Sequence, residues 1–330
     1  MEKKGRTTVK EQLYGIIETR NIEYVQFGVD LRFPTWYGST AYFQQTTRHL
    51  GLRDPDGRRS RCNSAHLPDE KEEKVKKSRK RELSTPDCWL ETLYVCEFCF
   101  KYTDVADELK EHASQCQFRD RAPGRIQYRT PELSIRKVSG SRYLLFCQCL
   151  CLFTKLFLDN KSMYFKVEHY DFYIAYSNLN NKPMAFFSKD LTSFQKNNLA
   201  CILTLPPYQR KGLGTLLMDF SYKLSVRDRI VSGPEQPLSP FGLAGYLKYW
   251  STALCLQFLD GPLQMKARVG LKDISKSTGM RLGDIVLTLQ SLECLSEKNE
   301  ISLQALRRWI KNNKQNTNAF VNDNYLILDD

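Results

Sequence analysis

Nowhere does the 330-residue chain carry an apolar run of the roughly 18 residues that a membrane-spanning helix needs, so no membrane partner is expected. The opening Met1-Glu2-Lys3-Lys4-Gly5-Arg6 has no apolar stretch behind its charges, which speaks against a secretory signal. No internal repeat is visible. Acidic residues are in deficit: 37 Asp and Glu against 49 Lys and Arg leave a formal charge of +12. Such a balance favours polyanionic partners, including non-specific contact with DNA through a basic surface, over a merely solvated one. Cysteine is not scarce, but an odd count of eleven without a leader argues for a reducing compartment. There, clustered cysteines are metal ligands or core residues and not disulfides. A hydrophobic share of 42% supports a sizeable core, and the length fits one large domain or two to three small ones.

Along the chain, residues 9–24 show an apolar stripe of Leu13, Ile16, Ile17 and Ile22 at helical spacing. Tyr24–Gly28 and Thr35–Tyr37 read as short strands about a turn. Residues 48–86 are charged, rich in turn formers and aperiodic, and are expected to be a disordered insertion. Within them Lys76-Lys77-Ser78-Arg79-Lys80-Arg81 reads as a nuclear-import signal or as an ordinary solvated run. Residues 94–118 form a Cys/His unit. Residues 143–158 place Leu145, Cys149, Leu152, Phe153 and Leu156 on one helical face. Met163–Val167, Asp171–Tyr176 and Pro183–Phe187 are aromatic and β-branched, as strands are. Leu199–Leu205 is an unbroken apolar run, expected to be a strand buried on both faces. Gly212–Leu224 and Phe241–Phe258 read as helices. From residue 268, three short helical segments with Ile301 and a Tyr325–Leu328 strand suggest a winged helix-turn-helix.

Three motifs carry chemistry. Cys96-x2-Cys99-x12-His112-x3-Cys116 supplies four soft ligands at the spacing of a structural Zn²⁺ site. The last two, four residues apart, share a helix face. Cys147, Cys149 and Cys151 alternate by two on a helical segment and read as packing residues. Next, Leu203-Thr204-Leu205-Pro206-Pro207-Tyr208-Gln209-Arg210-Lys211-Gly212-Leu213-Gly214 leads a strand through a glycine turn into a helix. Backbone N–H groups at such a helix start can hold a pyrophosphate, with Arg210 and Lys211 adding charge. Third, Glu235 lies between prolines in Ser232-Gly233-Pro234-Glu235-Gln236-Pro237-Leu238-Ser239. A lone Glu in a turn is more often a solvated group; this one gains weight from following the other two motifs. Its carboxylate suits removal of an ammonium proton.

In this order the motifs resemble the MYST family of histone acetyltransferases. Phe27-Gly28, Trp36-Tyr37, Leu156–Lys161 and Ala200–Pro206 add to the likeness, which runs from Val25 to Asp330. The resemblance implies an α+β fold: an acetyl-CoA-dependent N-acetyltransferase core with a mixed central sheet and flanking helices, a C2HC zinc-finger region before it and a winged-helix-like region after it. The corresponding divisions are 1–47, 48–86, 87–140, 141–267 and 268–330.

Carried over residue by residue, the resemblance makes Glu235 the general base and Cys201 the active-site cysteine. Ile202, Leu203 and Thr204, then Gln209, Arg210, Lys211, Gly212, Leu213, Gly214 and Thr215, with Ser239, become the acetyl-CoA site. Cys96, Cys99, His112 and Cys116 hold structural zinc, and Lys161 is the autoacetylated lysine. Within the family the chain is most similar to the silencing branch. That implies histone H4 within nucleosomes as substrate, at the lysine in the sixteenth position, accessory subunits of a SAS-I-like complex, and a nuclear, chromatin-regulating role. Lys248 departs from the family, standing where many members carry a serine near the cofactor. No chromodomain, bromodomain or PHD-type reader is expected ahead of the catalytic region, which leaves targeting to partners or the basic linker. Two other readings are a zinc-finger and winged-helix DNA-binding regulator without catalysis, and an acetyltransferase of non-histone lysines.

Overall fold

The computed structural model describes residues 20–44, 50–51, 88–158, 165–298, 300–313 and 320–327. These fall into two compact units interleaved along the chain. One contains Ile16–Pro123 and Gly140–Glu168, the other Gly124–Ser139 and His169–Asp330.

The first unit is a four-stranded sheet of order β2-β1-β3-β4, made of β1 (Ile22–Phe27), β2 (Leu31–Pro34), β3 (Leu90–Val95) and β4 (Tyr102–Thr103). β1 runs antiparallel to β2 and parallel to β3. Two helices complete the unit, α1 (Ala106–Gln115) and α2 (Leu144–Thr154). Its core is aromatic: Phe100 lies 5.7 Å from Phe27 and 5.3 Å from Phe153, ring centroid to centroid. These spacings suit tilted ring pairs.

Several local expectations are corrected here. Ile22 begins a strand, not a helix end, because it is fully buried in register with Leu90; the rest of the 9–24 helix, through residue 19, lies outside the described residues. Thr35–Tyr37 is not a strand; the N–H groups of Trp36 and Tyr37 both donate to the Leu156 carbonyl, at 2.9 and 3.1 Å. Helix α2 has no single apolar stripe. Cys147, Leu150 and Cys151 are buried along with Cys149, Leu152 and Phe153, whereas Leu145 is exposed. A helix covered on several sides no longer follows amphipathic periodicity. The three cysteines are packing residues in that they are buried.

The second unit is built on a five-stranded sheet in sequential order: β5 (Arg125–Arg129), β6 (Leu133–Ser139), β7 (Tyr170–Ser177), β8 (Pro183–Asp190) and β9 (Cys201–Thr204). All four ladders are antiparallel; among the described residues of this unit, parallel pairing enters only through two isolated bridges, Leu199 to Pro234 and Ser232 to Met280. β5 and β6 lie within the 87–140 span grouped with the Cys/His unit by sequence, yet β6 pairs with β7 along its full length. Of the segment Met163–Val167, residues 165–167 are irregular and the rest lies outside the described residues.

Helices α3 (Leu213–Arg227) and α4 (Pro240–Leu259) contribute to the core of this unit. Fully buried Trp250 donates through Nε1 to the Tyr222 hydroxyl at 2.9 Å. Three shorter helices follow, α5 (Leu271–Thr278), α6 (Leu282–Ser291) and α7 (Leu303–Asn312). A one-residue bridge, Leu295 to Ile301, separates the last two. Of the expected Tyr325–Leu328 strand, Tyr325 ends a 3-10 turn that begins at Asp323 and Leu326 makes one bridge to Tyr128, while Leu328 lies outside the described residues. β5 has no other partner on that side among the described residues, so the tail closes the sheet edge.

That tail is held by a buried acid. Asp219 of α3 accepts from the Tyr249 hydroxyl at 3.0 Å and from the Val321 N–H at 2.9 Å. Burial pushes its carboxyl up from 3.8 to about 6. An acid whose folded pKa exceeds its unfolded value binds its proton more tightly when folded. Stability is therefore highest at low pH and falls as pH rises from about 4 to about 6. The shift corresponds to on the order of 3 kcal/mol. Asp219→Asn keeps an acceptor for Val321 and can donate to Tyr249, so it is expected to remove this slope. Urea midpoints of both proteins across that window test it; a constant difference between them would refute the assignment.

Candidate functional site

In the first unit, β3 ends in a tight knuckle. The Cys96 N–H donates to the Lys101 carbonyl at 2.8 Å and the Phe100 N–H to the Cys96 carbonyl at 3.0 Å. Phe100 adopts a left-handed φ of 64°, unusual for a non-glycine residue, and its buried ring anchors the turn. α1 presents His112 and ends at Cys116. The ligand atoms of Cys96, Cys99, His112 and Cys116 lie within 4.8 Å of one another, and Cys99 Sγ is 3.1 Å from His112 Nε2. The thiols share protons: hydrogen bonding to Cys116 pushes Cys96 up, and the same bond pulls Cys116 down. A dication would let all three become thiolates together. The donor set fits Zn²⁺, with all four positions supplied by protein.

In the second unit, β9 is an edge strand. Only Leu203 of its four residues is buried, which corrects the expectation of a strand covered on both faces. Past the bridge at Leu199 it has no named strand partner on its far side among the described residues. An open edge offers backbone groups that face away from β8, those of Ile202 among them, to an extended ligand.

The chain leaves β9 through a 3-10 turn at Pro206–Tyr208 and enters α3 at Leu213. Gln209 braces this loop by donating through Nε2 to the Thr204 carbonyl at 3.1 Å. Arg210 and Gly212 are left-handed, with φ of 63° and 79°. Gly212 is the N-cap of α3, and no side chain caps the helix. The first N–H groups of α3, at Leu213, Gly214 and Thr215, thus lack intrahelical partners and face outward with the positive end of the helix dipole. Arg210 and Lys211 are exposed beside them. The cradle fits a diphosphate.

Cys201 opens β9 opposite Ser188 and is half-buried. Glu235 reaches its neighbourhood by backbone pairing. Its N–H donates to the Leu199 carbonyl at 2.8 Å, and the Asn198 N–H donates to the Gly233 carbonyl at 3.0 Å. These bonds bracket the Leu199–Pro234 bridge and lay Ser232–Glu235 alongside the start of β9. The Glu235 side chain is exposed. Ser239 lies further on, where it caps α4 by accepting from the Gly242 N–H at 3.1 Å; its hydroxyl hydrogen remains to donate. Lys161 lies outside the described residues. Sequence reasoning passed over Arg281, whose guanidinium donates to the Pro234 carbonyl at 3.1 Å; no local motif marks it.

An anion cradle and an open strand edge, with a carboxylate and a thiol near the strand's start, suit an acyltransferase that takes its acyl group from a phosphate-bearing carrier. The comparisons make this particular. The family model described as the MOZ/SAS family matches residues 121–326. The chain is 52% identical over 328 residues to histone acetyltransferase SAS2 of Saccharomyces cerevisiae, covering 99% of this chain and 91% of that one. It is 40% identical over 206 residues to histone acetyltransferase MOF of Drosophila melanogaster, covering 62% of this chain and 24% of that one. The Arabidopsis thaliana histone acetyltransferase of the MYST family 1 is 40% identical over 205 residues, or 62% of this chain and 45% of that one. The chain belongs to the MOZ/SAS family, and it is an acetyl-CoA-dependent acetyltransferase.

Proposed function

We propose that this protein acetylates histone lysines, with the histone H4 tail in nucleosomes as substrate and the lysine at its sixteenth position as target. The nucleus is its place of action, in chromatin silencing and boundary control, with accessory subunits of a SAS-I-like complex. The observation that carries the chemistry is the bond from the Glu235 N–H to the Leu199 carbonyl. It puts a carboxylate-bearing turn near one end of β9 while the diphosphate cradle opens at the other.

Glu235 removes the proton of the substrate ammonium, directly or through one water; the neutral amine attacks the acetyl carbonyl, the N–C bond forms as the thioester C–S bond breaks, and the coenzyme leaves as a thiolate that takes up the proton shed by the new amide nitrogen. The coenzyme supplies that thioester, its pyrophosphate held by residues 209–215 and its chain along Ile202 to Thr204. Cys201 serves as a packing and positioning residue. A covalent acetyl carrier at Cys201 is the alternative, but it would need Glu235 to act as base twice. Zinc at Cys96, Cys99, His112 and Cys116 is structural, and Lys161 is the autoacetylated lysine. α5, α6, the Leu295–Ile301 bridge and α7 support a winged-helix-like reading of residues 268–330, with a scaffolding role.

Acetyl transfer to H4 tail peptides tests the substrate. Arginine at the sixteenth position is expected to remove most incorporation. Equal labelling of that peptide would overturn the site preference, and labelling of non-histone lysines alone would overturn the histone assignment. Tight DNA binding with no acetyl-CoA binding would instead support a regulator without catalysis. For the cradle, Gly212→Val forces a β-branched residue into a left-handed conformation, a cost of about 1–3 kcal/mol. The KM for acetyl-CoA is expected to rise about tenfold or more, with the H4 KM little changed; an unaltered acetyl-CoA KM would remove Gly212 from the site.

A further inference from the structure

We propose that Arg281 is a positioning residue for Glu235, and that the C-terminal helices thereby complete the catalytic site. The inference rests on the reading of Glu235 as general base. Arg281 is the N-cap residue of α6, in the region whose sequence suggests a winged helix-turn-helix. Its guanidinium divides its donors among three acceptors. Nη1 donates to the Pro234 carbonyl at 3.1 Å, and Nη2 donates to the Gln195 carbonyl at 3.1 Å and to Asn197 Oδ1 at 2.6 Å. Pro234 immediately precedes Glu235, while Gln195 and Asn197 belong to the connection that leads into β9 and Cys201. One planar cation therefore joins the two segments that meet at the Leu199–Pro234 bridge.

The same face is held by main chain. The Ser232 N–H donates to the Gly279 carbonyl at 2.9 Å, and the Ser232 hydroxyl donates to Ser225 Oγ at 2.7 Å. Gly233 is pressed against the start of α6: a Cβ there would lie 2.7 Å from Asp284 Oδ2 and 3.3 Å from Arg281 Cδ. Ser232–Glu235 is thus clamped between the entry to β9 on one side and residues 279–281 on the other. Only two backbone hydrogen bonds join it to the β9 side, too few to fix a proline-flanked turn firmly. The guanidinium fork adds charge-assisted bonds on both sides of the seam. Lysine, with a single nitrogen, cannot reproduce this geometry.

If Arg281 acts through Glu235, its loss costs turnover and not coenzyme binding, because the α3 cradle makes none of these contacts. Arg281→Gln is expected to lower kcat by about 10- to 100-fold, the scale of a misplaced catalytic group, with the acetyl-CoA KM within about twofold. Arg281→Lys, which keeps the charge, is expected to fall between Gln and wild type. It also replaces Gln in the test should that variant not fold. The deciding measurement is a double-mutant cycle with Glu235→Gln in the full chain. Once the base is gone its placement no longer matters, so Arg281→Gln is expected to cost less than about twofold in that background. Multiplying penalties, or a kcat near wild type for Arg281→Gln, would overturn the positioning role while leaving Glu235 intact. A fully active Glu235→Gln would overturn the base assignment and this inference with it.

Discussion

Replacing Glu235 by glutamine is expected to lower kcat at neutral pH by about 10²–10⁴-fold, the worth of a general base, without weakening acetyl-CoA. Free lysine has a pKa of about 10.4, so near pH 7 only about one amine in 2,500 is neutral. The hydrogen bond that places the turn is made by the Glu235 main-chain N–H, which glutamine retains. The substitution therefore removes proton acceptance and leaves position. A variant without its base must wait for amine that is already neutral. Its rate is expected to climb about tenfold per pH unit between roughly 7 and 9, and the wild-type rate far less. Cys201→Ala is expected to lose much less turnover. A dead Cys201→Ala, together with acetyl trapped on Cys201 in the absence of substrate, would favour the covalent route. Flat, wild-type turnover for Glu235→Gln over that range would remove Glu235 from the mechanism.

What could be read from the sequence was local, and what could not was set by pairing at a distance. The knuckle is a six-residue turn closed by its own backbone, and α1 brings His112 and Cys116 to it at fixed helical spacing, so four spaced letters were enough. The β9–α3 passage was legible for the same reason, since strand, turn and helix are consecutive. Leu199–Leu205 misled because an apolar run marks hydrophobicity and says nothing of which neighbours a strand acquires; here the far neighbour stops at Leu199. Ile22 fitted a helical stripe yet joined a strand, because its partner Leu90 lies across the long insertion. Tyr325–Ile327 has strand-like residues but meets β5 through no more than the Leu326–Tyr128 bridge and one bond from the Ile327 N–H to the Gln127 carbonyl, too little pairing for a ladder. Arg281 was invisible for the strongest reason: three acceptors, two of them main-chain carbonyls, leave no trace in residue type.

Removing the metal is expected to unfold the Cys/His portion of the first unit, and not merely to loosen it. β4 is only two residues long, and α1 buries only Leu109 and Ala113. Burying a side chain of that class yields at most about 1.5–3 kcal/mol. Ordering a ten-residue helix costs at least about 1 kcal/mol per residue in backbone entropy, so the apolar contacts cannot hold α1 in place. Four ligands on one Zn²⁺ can, since such sites contribute on the order of 10 kcal/mol or more in small domains. Purified protein is expected to carry about one zinc per chain. A strong chelator is expected to expose residues 94–118 to protease, and added zinc to restore protection. His112→Ala is expected to behave like the chelated protein. His112→Cys, which makes a four-cysteine set that zinc also accepts, is expected to recover metal content and protection. That pair separates ligation from packing, because alanine and cysteine both remove the imidazole and only cysteine returns a ligand. Protein carrying less than about half an equivalent of zinc yet resisting protease as well as the wild type would show that packing alone holds the knuckle.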